Sequence, residues 1–228
     1  MFLTQYKKSI RLDSDGFSLF KKDDHGDLFF ENYPQTPLPI LIERIPSFFA
    51  ENDHDEVLML LNHLPPLLIP KPLYDETALI SYLQLQFDVS QIGEIFTDEI
   101  DEYYSLYFID KESFAIVEKF NLPYAVTHLS TFLYRHVHEN KMVDSGDLLY
   151  LYIEKNEAGF MVEKKGKLQL LNRFHFTSEY DVLYYILNIL KQYEIPSSEI
   201  QLLLFGNADE QVSVLLKQYI PQIISIYF

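Results

Sequence analysis

The sequence predicts a mixed α/β (α+β) protein whose sheets are flanked by helices, and three observations carry that prediction. From Asp147 onward, apolar runs and turn residues follow the order strand, strand, strand, helix, strand, helix, strand. The N-terminal part opens with a similar order of three strands, a helical region, a strand and a helix. Apolar residues make up 48% of the 228 residues, which is enough for a globular core.

The C-terminal strands are the clearest elements. The first is a continuous apolar run, which is typical of a strand covered on both faces. Asn156 and Gly159 bracket one turn, and Lys165-Gly166 makes the next. The predicted strands are Leu148–Ile153, Phe160–Val162, Leu168–Phe176 and, further on, Gln201–Phe205.

Two C-terminal helices are predicted from caps and apolar spacing. Ser178 is placed to cap the first, with Asp181 favouring its N-terminus. Gly206 turns the chain towards the second, where Asn207–Glu210 has capping-box spacing. A last strand follows Pro221. The inward positions are Val182, Leu183, Ile186, Ile189, Leu190 and Tyr193 in the first helix, and Val212, Leu215, Leu216, Tyr219 and Ile220 in the second.

The N-terminal elements are less regular. Asp13-Ser14-Asp15-Gly16 is a turn signal between the first two strands. Pro39 and Pro46 argue against a single uninterrupted helix over 37–51. The predicted strands are Ser9–Leu12, Phe17–Phe20, Leu28–Tyr33 and Val57–Leu61, and a helix is predicted at Asp75–Phe87.

A middle segment repeats the alternation of strand and helix. Strands are predicted at Tyr103–Ile109 and Tyr124–Leu129, with a helix at Lys111–Phe120 between them, which predicts a parallel crossover. Another helix is predicted at Thr131–Glu139. We therefore divide the chain into an N-terminal lobe over 1–143, which includes this segment, and a C-terminal lobe over 144–228.

Composition excludes several classes of function. The net charge of −16 repels nucleic acid and anionic membrane surfaces. The absence of cysteine excludes disulfides, thiol nucleophiles and Cys-ligated metals. No apolar run approaches a membrane span, and the first residues lack the order of a signal peptide, so we expect a cytoplasmic protein. The oligomeric state stays open.

Two copies of a three-stranded meander followed by helix, strand and helix resemble the actin, sugar kinase and heat-shock chaperone superfamily, whose fold is ribonuclease H-like. The chain is also similar to the actin-like proteins that assemble type IV pili and type II secretion systems. It looks most like a bacterial family of unknown function with an actin-like ATPase fold. The resemblance implies two related lobes, each a mixed sheet flanked by helices, with ATP and Mg²⁺ between them.

The resemblance also implies positions for the ATP-binding residues. The first phosphate motif, Asp-x-Gly-x-Thr/Ser, corresponds to Asp13, Asp15, Gly16 and Ser18, with one residue too many after Asp13. These four and Gly206 are the cofactor-binding residues if ATP binding is retained.

The other two motifs depart further from the family pattern. In the second phosphate motif, over residues 154–159, Glu154 replaces Asp and Asn156 replaces Gly. The adenosine motif keeps Gly206 but has Asn207 beside it. Because phosphate loops need bare backbone N–H groups, these changes weaken the prediction of ATP binding. Asp209 and Glu210 would repel a polyphosphate, and capping their own helix is the expected role.

Other groups of polar residues carry weaker predictions. His136 and His138 lie in a helical pattern, where residues two apart diverge, so neither a metal site nor a catalytic residue is assigned. His128 and Ser130 form no triad, since no nucleophile elbow surrounds them. The acidic run from Asp98 to Glu102 is expected to be a solvated loop edge. Tyr184 and Tyr185 cannot both face inward on one helix, so one is expected to be exposed.

We therefore weigh three hypotheses. The first is a non-catalytic interaction or scaffold module with a protein partner, on an actin-like fold that has lost its ATP residues. The second is an active ATPase or small-molecule kinase that uses Asp13, Asp15 and Gly206. The third is an unrelated α/β binding protein whose meanders imitate the superfamily.

Overall fold

The structure is a computed structural model, and it describes residues 6–23, 25, 27–49, 56–119, 123–143, 146–206 and 210–226. The chain divides into two compact units, Met1–Met142 and Val143–Phe228. Each unit contains one five-stranded sheet, and the first contains a further three-stranded sheet.

The sheet of the first unit has the order β3-β2-β1-β4-β8. The strands β1, β2 and β3 form an antiparallel meander, whereas β4 pairs parallel to β1 and β8 pairs parallel to β4. The predicted meander is therefore confirmed, with each strand slightly longer than expected. The bounds are β1 Lys8–Asp13, β2 Gly16–Lys22, β3 Leu28–Pro34, β4 Val57–Asn62 and β8 Tyr124–His128.

The helix between β3 and β4 corrects one expectation. Helix α1 runs uninterrupted over Pro39–Phe48 and buries Leu41 and Ile45 against the sheet. Pro39 is in the first turn, where a missing N–H costs nothing, and Pro46 lies in the last turn. Because Pro46 is so close to the end, the helix loses one hydrogen bond there and continues to Phe48.

An insertion between β4 and β8 forms the three-stranded sheet, with the order β5-β7-β6. All of its pairings are antiparallel. The helix predicted over 75–87 is shorter than expected: a 3₁₀ turn at Glu76–Ala78 leads into α2 at Leu79–Leu83. The strand bounds are β5 Leu67–Pro70, β6 Ile92–Ile100 and β7 Tyr103–Asp110.

The predicted parallel crossover from β7 to β8 is wrong. Helix α3, Lys111–Val117, does join them, but β7 belongs to the three-stranded sheet and β8 to the five-stranded one. The parallel partner of β8 is β4, which precedes the whole insertion. Helix α4 follows at Leu129–Glu139 and confirms the helix predicted there.

The second unit repeats the topology of the first. Its sheet has the order β11-β10-β9-β12-β13, with an antiparallel meander and two parallel strands. The predicted order from Asp147 is confirmed, although Asn207–Asp209 of the predicted capping box lie outside the described residues. The bounds are β9 Asp147–Glu154, β10 Glu157–Lys164, β11 Lys167–His175, α5 Glu179–Gln192, β12 Ile200–Phe205, α6 Glu210–Lys217 and β13 Gln222–Ile226.

The core of the second unit lies between one face of this sheet and its two helices. Val182, Ile186 and Leu190 of α5 and Val212 and Leu216 of α6 are buried there. Alternate residues of β9 and β12 face them, as the period of a strand requires. The buried strand residues of this core include Leu149, Leu151, Phe160, Val162, Leu202 and Leu204.

Candidate functional site

The hairpin between β1 and β2 is the first candidate site. Asp13 pairs with Gly16, so its loop consists of Ser14 and Asp15 alone. A cleft of about 690 Å³ lies beside it within the first unit. The lining is Leu12, Asp13, Ser14, Asp15, Gly16, Gln35, Thr36, Pro37, Leu38, His63, Leu64, Gln91, Phe108, Ile109, Asp110 and Ser113.

The carboxylate of Asp13 is held by two protein donors. Arg11 Nε donates to Asp13 Oδ2 at 2.9 Å, and Asn62 Nδ2 donates to Asp13 Oδ1 at 2.8 Å. Asn62 is buried at the end of β4. The side chain of Asp13 is 5% exposed, so both bonds are shielded from water. Asp13 therefore joins the ends of β1 and β4.

Gly16 is required by the close approach of the neighbouring strand. A Cβ atom at this position would lie 2.3 Å from the carbonyl oxygen of Tyr33. This oxygen belongs to the backbone of β3 and cannot rotate away. The glycine of the predicted phosphate motif is therefore already needed for packing between β2 and β3.

Ser18 is likewise bonded within the sheet. Its hydroxyl donates to Asn32 Oδ1 at 3.0 Å and accepts from Arg11 Nη2 at 3.3 Å. The side chain is buried. Ser18 thus completes a polar chain across β3, β2 and β1.

Negative charge predominates in the cleft. Among the described residues, its lining includes Asp13, Asp15 and Asp110 and no lysine or arginine. Asp110 caps α3, because its carboxylate accepts the backbone N–H of Ser113 at 2.9 Å. The local potential therefore disfavours a bare polyphosphate.

The corresponding hairpin of the second unit has the same length and different chemistry. Glu154 pairs with Glu157 around the loop Lys155-Asn156. Lys155 has a φ of 50°, a left-handed conformation that is uncommon for residues other than glycine. Tyr152 Oη donates to Glu154 at 3.4 Å, and Arg173 Nη1 is 3.2 Å from Glu157 Oε2.

Gly206 ends β12 and turns the chain with a φ of 80°. Its N–H donates to the carbonyl oxygen of Ile226 at 3.2 Å. A Cβ atom there would meet the ring of Tyr152 at 3.5 Å. The structure therefore places Gly206 in a tight turn beside an aromatic ring. The cofactor role predicted for Asp13, Asp15, Gly16, Ser18 and Gly206 stays a prediction.

Asp98 was missed by sequence reasoning. It lies in β6, not at a solvated loop edge, and is only 8% exposed. Its Oδ2 accepts Thr127 Oγ1 at 2.7 Å and the N–H of His128 at 3.0 Å. Burial, with the nearby Asp98 carboxylate, raises the pKa of Tyr107 far above its usual range. The alternation of Phe96, Asp98 and Ile100 was the signal that could have placed Asp98 on an inward face.

His128 and Ser130 are bonded to each other, yet in a capping role. His128 Nε2 is 2.9 Å from the carbonyl oxygen of Leu64, so this nitrogen must be the donor. Nδ1 therefore accepts from Ser130 Oγ at 2.7 Å and from its N–H at 3.2 Å. The imidazole is neutral in this arrangement and caps α4.

His136 and His138, the other two histidines considered above, lie on α4, as the sequence predicts. Burial lowers the pKa of His136, and the rings of His138 and Tyr134 pack with centroids 4.4 Å apart at an interplanar angle of 45°. Among the described residues, no three histidine or acidic side chains are grouped so that they could hold a metal ion.

One tyrosine of the pair on α5 is exposed, as predicted. Tyr185 stacks on Phe174 at 4.8 Å and donates to the carbonyl oxygen of His175 at 2.9 Å. Tyr184 is 63% exposed and lies in line with exposed Tyr180 and Leu187. These three residues, spaced by four and three, form an apolar stripe along one side of the helix.

Comparison with known proteins identifies the family. A family model described as a protein of unknown function, DUF3822, matches residues 3–223. The chain belongs to this family. No curated protein matches the sequence. Membership in DUF3822 confirms the resemblance to a family of unknown function.

Solved structures similar to this DUF3822 member share its fold. A Bacteroides thetaiotaomicron protein with an actin-like ATPase fold and unknown function is 19% identical, with a TM-score of 0.78, and the match covers 97% of this chain and 91% of that one. The PilM–PilN type IV pilus biogenesis complex gives 11% identity, a TM-score of 0.60 and coverages of 96% and 87%. Ethanolamine utilization protein EutJ from Carboxydothermus hydrogenoformans is 9% identical, with a TM-score of 0.52, and the match covers 96% of this chain and 84% of that one.

These likenesses confirm the fold class. The chain has the actin-like ATPase fold, with mixed sheets flanked by helices. In the part of the chain that the structure describes, every helix is too short or too polar to cross a membrane.

Proposed function

We propose that this protein is a non-catalytic interaction or scaffold module on an actin-like ATPase fold, with lobes at 1–143 and 144–228. The observation that carries the proposal is that Asp13, Gly16 and Ser18 are committed to contacts inside the first unit. A residue that binds magnesium or phosphate needs lone pairs or N–H groups directed at the ligand. Asp13 and Ser18 instead bond to neighbouring strands, and Gly16 makes room for the Tyr33 carbonyl.

The fit of Mg²⁺–ATP to the described residues is poor on two further grounds. The cleft beside the hairpin offers carboxylates and no cationic side chain to pair with phosphate oxygens. In the second unit, Asn156 lies in the hairpin at the position where the family pattern has glycine. No step of a reaction is therefore assigned to ATP.

A protein partner is supported by the apolar stripe on α5. Tyr180, Tyr184 and Leu187 are exposed at helical spacing, and tyrosine is enriched at protein interfaces. PilM, which has a similar fold, is described in a complex with PilN. The stripe is the surface that we propose for partner binding in this protein.

Titration calorimetry with Mg²⁺ and ATP tests the proposal directly. We expect no heat of binding with nucleotide up to about 1 mM, which corresponds to a binding free energy weaker than about −4 kcal/mol. ADP and a non-hydrolysable ATP analogue should give the same result. A micromolar dissociation constant would overturn the non-catalytic assignment.

The alternative is an ATPase or small-molecule kinase, and the cleft beside Asp15 is the observation that favours it. It requires steady release of phosphate from ATP or from ATP with an acceptor. Asp15→Asn is the informative variant, because Asp15 is exposed and Asp13 also holds the fold together. Phosphate release that Asp15→Asn abolishes, in a variant that unfolds like the wild type, would establish the alternative.

A further inference from the structure

The open edge of the first sheet, at β3, exposes an unusual run of apolar side chains. Leu28, Phe29 and Phe30 are 63%, 48% and 58% exposed. Among the described residues, β3 pairs with β2 on one side and with no strand on the other. Its outward N–H and C=O groups can therefore accept another strand. We call Leu28, Phe29 and Phe30, together with Lys21, Lys22 and Glu31, the β3 edge.

Apolar side chains lie on both faces of this edge. The register sets Phe29 beside Lys21 and sets Phe30 beside Phe20. Because side chains alternate along a strand, Phe29 faces the same side as Glu31 and Leu28 faces the same side as Phe30. A depression of about 420 Å³ between β3 and the end of α1 is lined by Phe29, Glu31, Lys21 and Phe48, among others.

The equivalent edge of the second unit is protected. Strand β11 has the same position in its sheet as β3, yet its exposed residues are polar: Lys167, Gln169, Asn172 and His175. Of its apolar residues, Leu168 is buried, Leu170 and Phe174 pack against the core, and Leu171 is half-buried. Polar and charged side chains are the usual defence of an edge strand, so the fold does not require the exposure seen at β3.

We propose that the β3 edge is a docking surface for a second copy of this chain, through antiparallel pairing of the two β3 strands about Phe30. Such a pairing is two-fold symmetric, and it joins the two five-stranded sheets into one continuous sheet. Phe30 of one copy lies opposite Phe30 of the other. Because residues of equal parity are paired, each face of the sheet continues across the junction.

Charge complementarity supports a second copy as the occupant. Lys21 and Lys22 lie beside Phe29 and Leu28, before the proposed centre of pairing at Phe30, and Glu31 follows directly after it. Antiparallel pairing about Phe30 sets Phe29, with Lys21 behind it, opposite Glu31 of the second copy. Tyr33 Oη donates to Glu31, which holds this carboxylate on the same face of the strand.

The charge of the whole chain also points to this edge. At −16, two copies repel one another over most surfaces. At the β3 edge, Lys21 and Lys22 reduce the negative charge contributed by Asp23, Asp27 and Glu31, so the repulsion between the surroundings of the apolar residues is weaker here than the net charge of the chain implies. The inference does not rest on the proposed function, since an ATPase could pair through the same edge.

Sedimentation equilibrium of the full chain, from about 1 µM to about 200 µM, tests the proposal. We expect a reversible monomer–dimer equilibrium. Phe30→Lys should weaken it at least about tenfold, because it places two charges opposite one another at the centre. Gln169→Lys, on the protected β11 edge, is the matched control and should leave the equilibrium unchanged.

Charge reversal provides a second readout. Lys21→Glu and Glu31→Lys should each weaken the dimer, and the double variant should regain part of the loss. Since all of these residues lie at the surface, the variants should unfold like the wild type. A chain that stays monomeric up to about 200 µM, or a dimer insensitive to Phe30→Lys, overturns the proposal.

Discussion

The hairpin Asp13–Gly16 and the hairpin Glu154–Glu157 occupy the same position in two sheets of equal strand order, yet they are held in different ways. The first is bonded to its surroundings through Arg11 and Asn62, and it includes Gly16, where a Cβ atom would lie 2.3 Å from the Tyr33 carbonyl oxygen. The second has a left-handed residue, Lys155, and the nearest glycine, Gly159 in β10, has room for a Cβ atom, which would lie 3.8 Å from the Tyr152 carbonyl oxygen.

The comparison shows that the sheet topology determines the length of each hairpin loop, whereas the side chains determine how each hairpin is held. Both hairpins have two-residue loops because the flanking strands pair in the same register. Every loop residue carries a side chain, Ser14 and Asp15 in the first hairpin and Lys155 and Asn156 in the second. The first is specialised for holding strands together, and the second carries charged residues at its base. Pairs of matched substitutions test this interpretation.

The largest effect is expected from alanine at the two glycines. Gly16→Ala places a Cβ atom 2.3 Å from the Tyr33 carbonyl oxygen, so β2 and β3 must separate. We expect the free energy of unfolding to fall by about 3 kcal/mol. Gly159→Ala places its Cβ 3.8 Å from the Tyr152 carbonyl oxygen and should change stability by less than about 0.5 kcal/mol. Urea unfolding measures both, and equal effects would refute the distinction.

A smaller contrast is expected for the two acidic residues. Asp13→Ala removes the acceptor of Arg11 and of buried Asn62, at a cost of about 2 kcal/mol. Glu154→Ala removes the long bond from Tyr152 at 3.4 Å and should cost less than about 0.5 kcal/mol. Asn62→Ala combined with Asp13→Ala should cost less than the sum of the two single changes. An additive result would show that the bond between Asp13 and Asn62 contributes little.

The smallest effect concerns the helices that follow the third strand of each unit. Helix α1 has no side-chain cap at Leu38, whereas Asp181 of α5 accepts the N–H groups of Thr177 at 2.8 Å and of Ser178 at 3.0 Å. The bonds from Thr177 lower the pKa of Asp181 below its ordinary range. Its contribution is therefore complete above about pH 4 and is lost as the pH falls through the lowered value.

Unfolding of Asp181→Asn against pH measures this contribution. The variant should be less stable than the wild type at pH 7, and the difference should shrink towards about pH 2. Glu179→Gln removes a charge from the same turn without removing those bonds and is the control. A difference that does not depend on pH would show that capping acts without the carboxylate charge.

The order of the elements could be predicted from the sequence because each strand, turn and helix has its own local residue pattern. Apolar runs and turn residues predict the meanders, and the spacing of Val182, Ile186 and Leu190 predicts α5. The prediction of an interrupted helix at α1 was wrong because the effect of Pro46 depends on where the helix ends, and α1 ends only two residues later, at Phe48. The prediction at β8 was wrong because pairing with β4 spans the whole insertion, and no local pattern records a distant partner.

The site residues show the same limit. The turn at Asp13–Gly16 is recognisable from its residues, but the bond from Asn62 depends on the alignment of β1 with β4. Gly16 matched a phosphate motif, whereas the reason for glycine is the approach of the Tyr33 carbonyl. Asp98 was predicted to be solvated because its neighbours are acidic. Its burial depends instead on contacts with Thr127 and His128 of β8.

The insertion between β4 and β8 has a consequence for the order of folding. The chain from Asn62 to Tyr124 is more than three times as long as the chain from Phe205 to Gln222, which links the equivalent strands of the second unit. Closing the longer loop costs about 1 kcal/mol more in chain entropy. The hairpin of β6 and β7 is local in sequence, so its early formation shortens that loop. The last strand of the first unit's five-stranded sheet is therefore the one that pairs at the greater cost in chain entropy, and the insertion's own pairing offsets part of it.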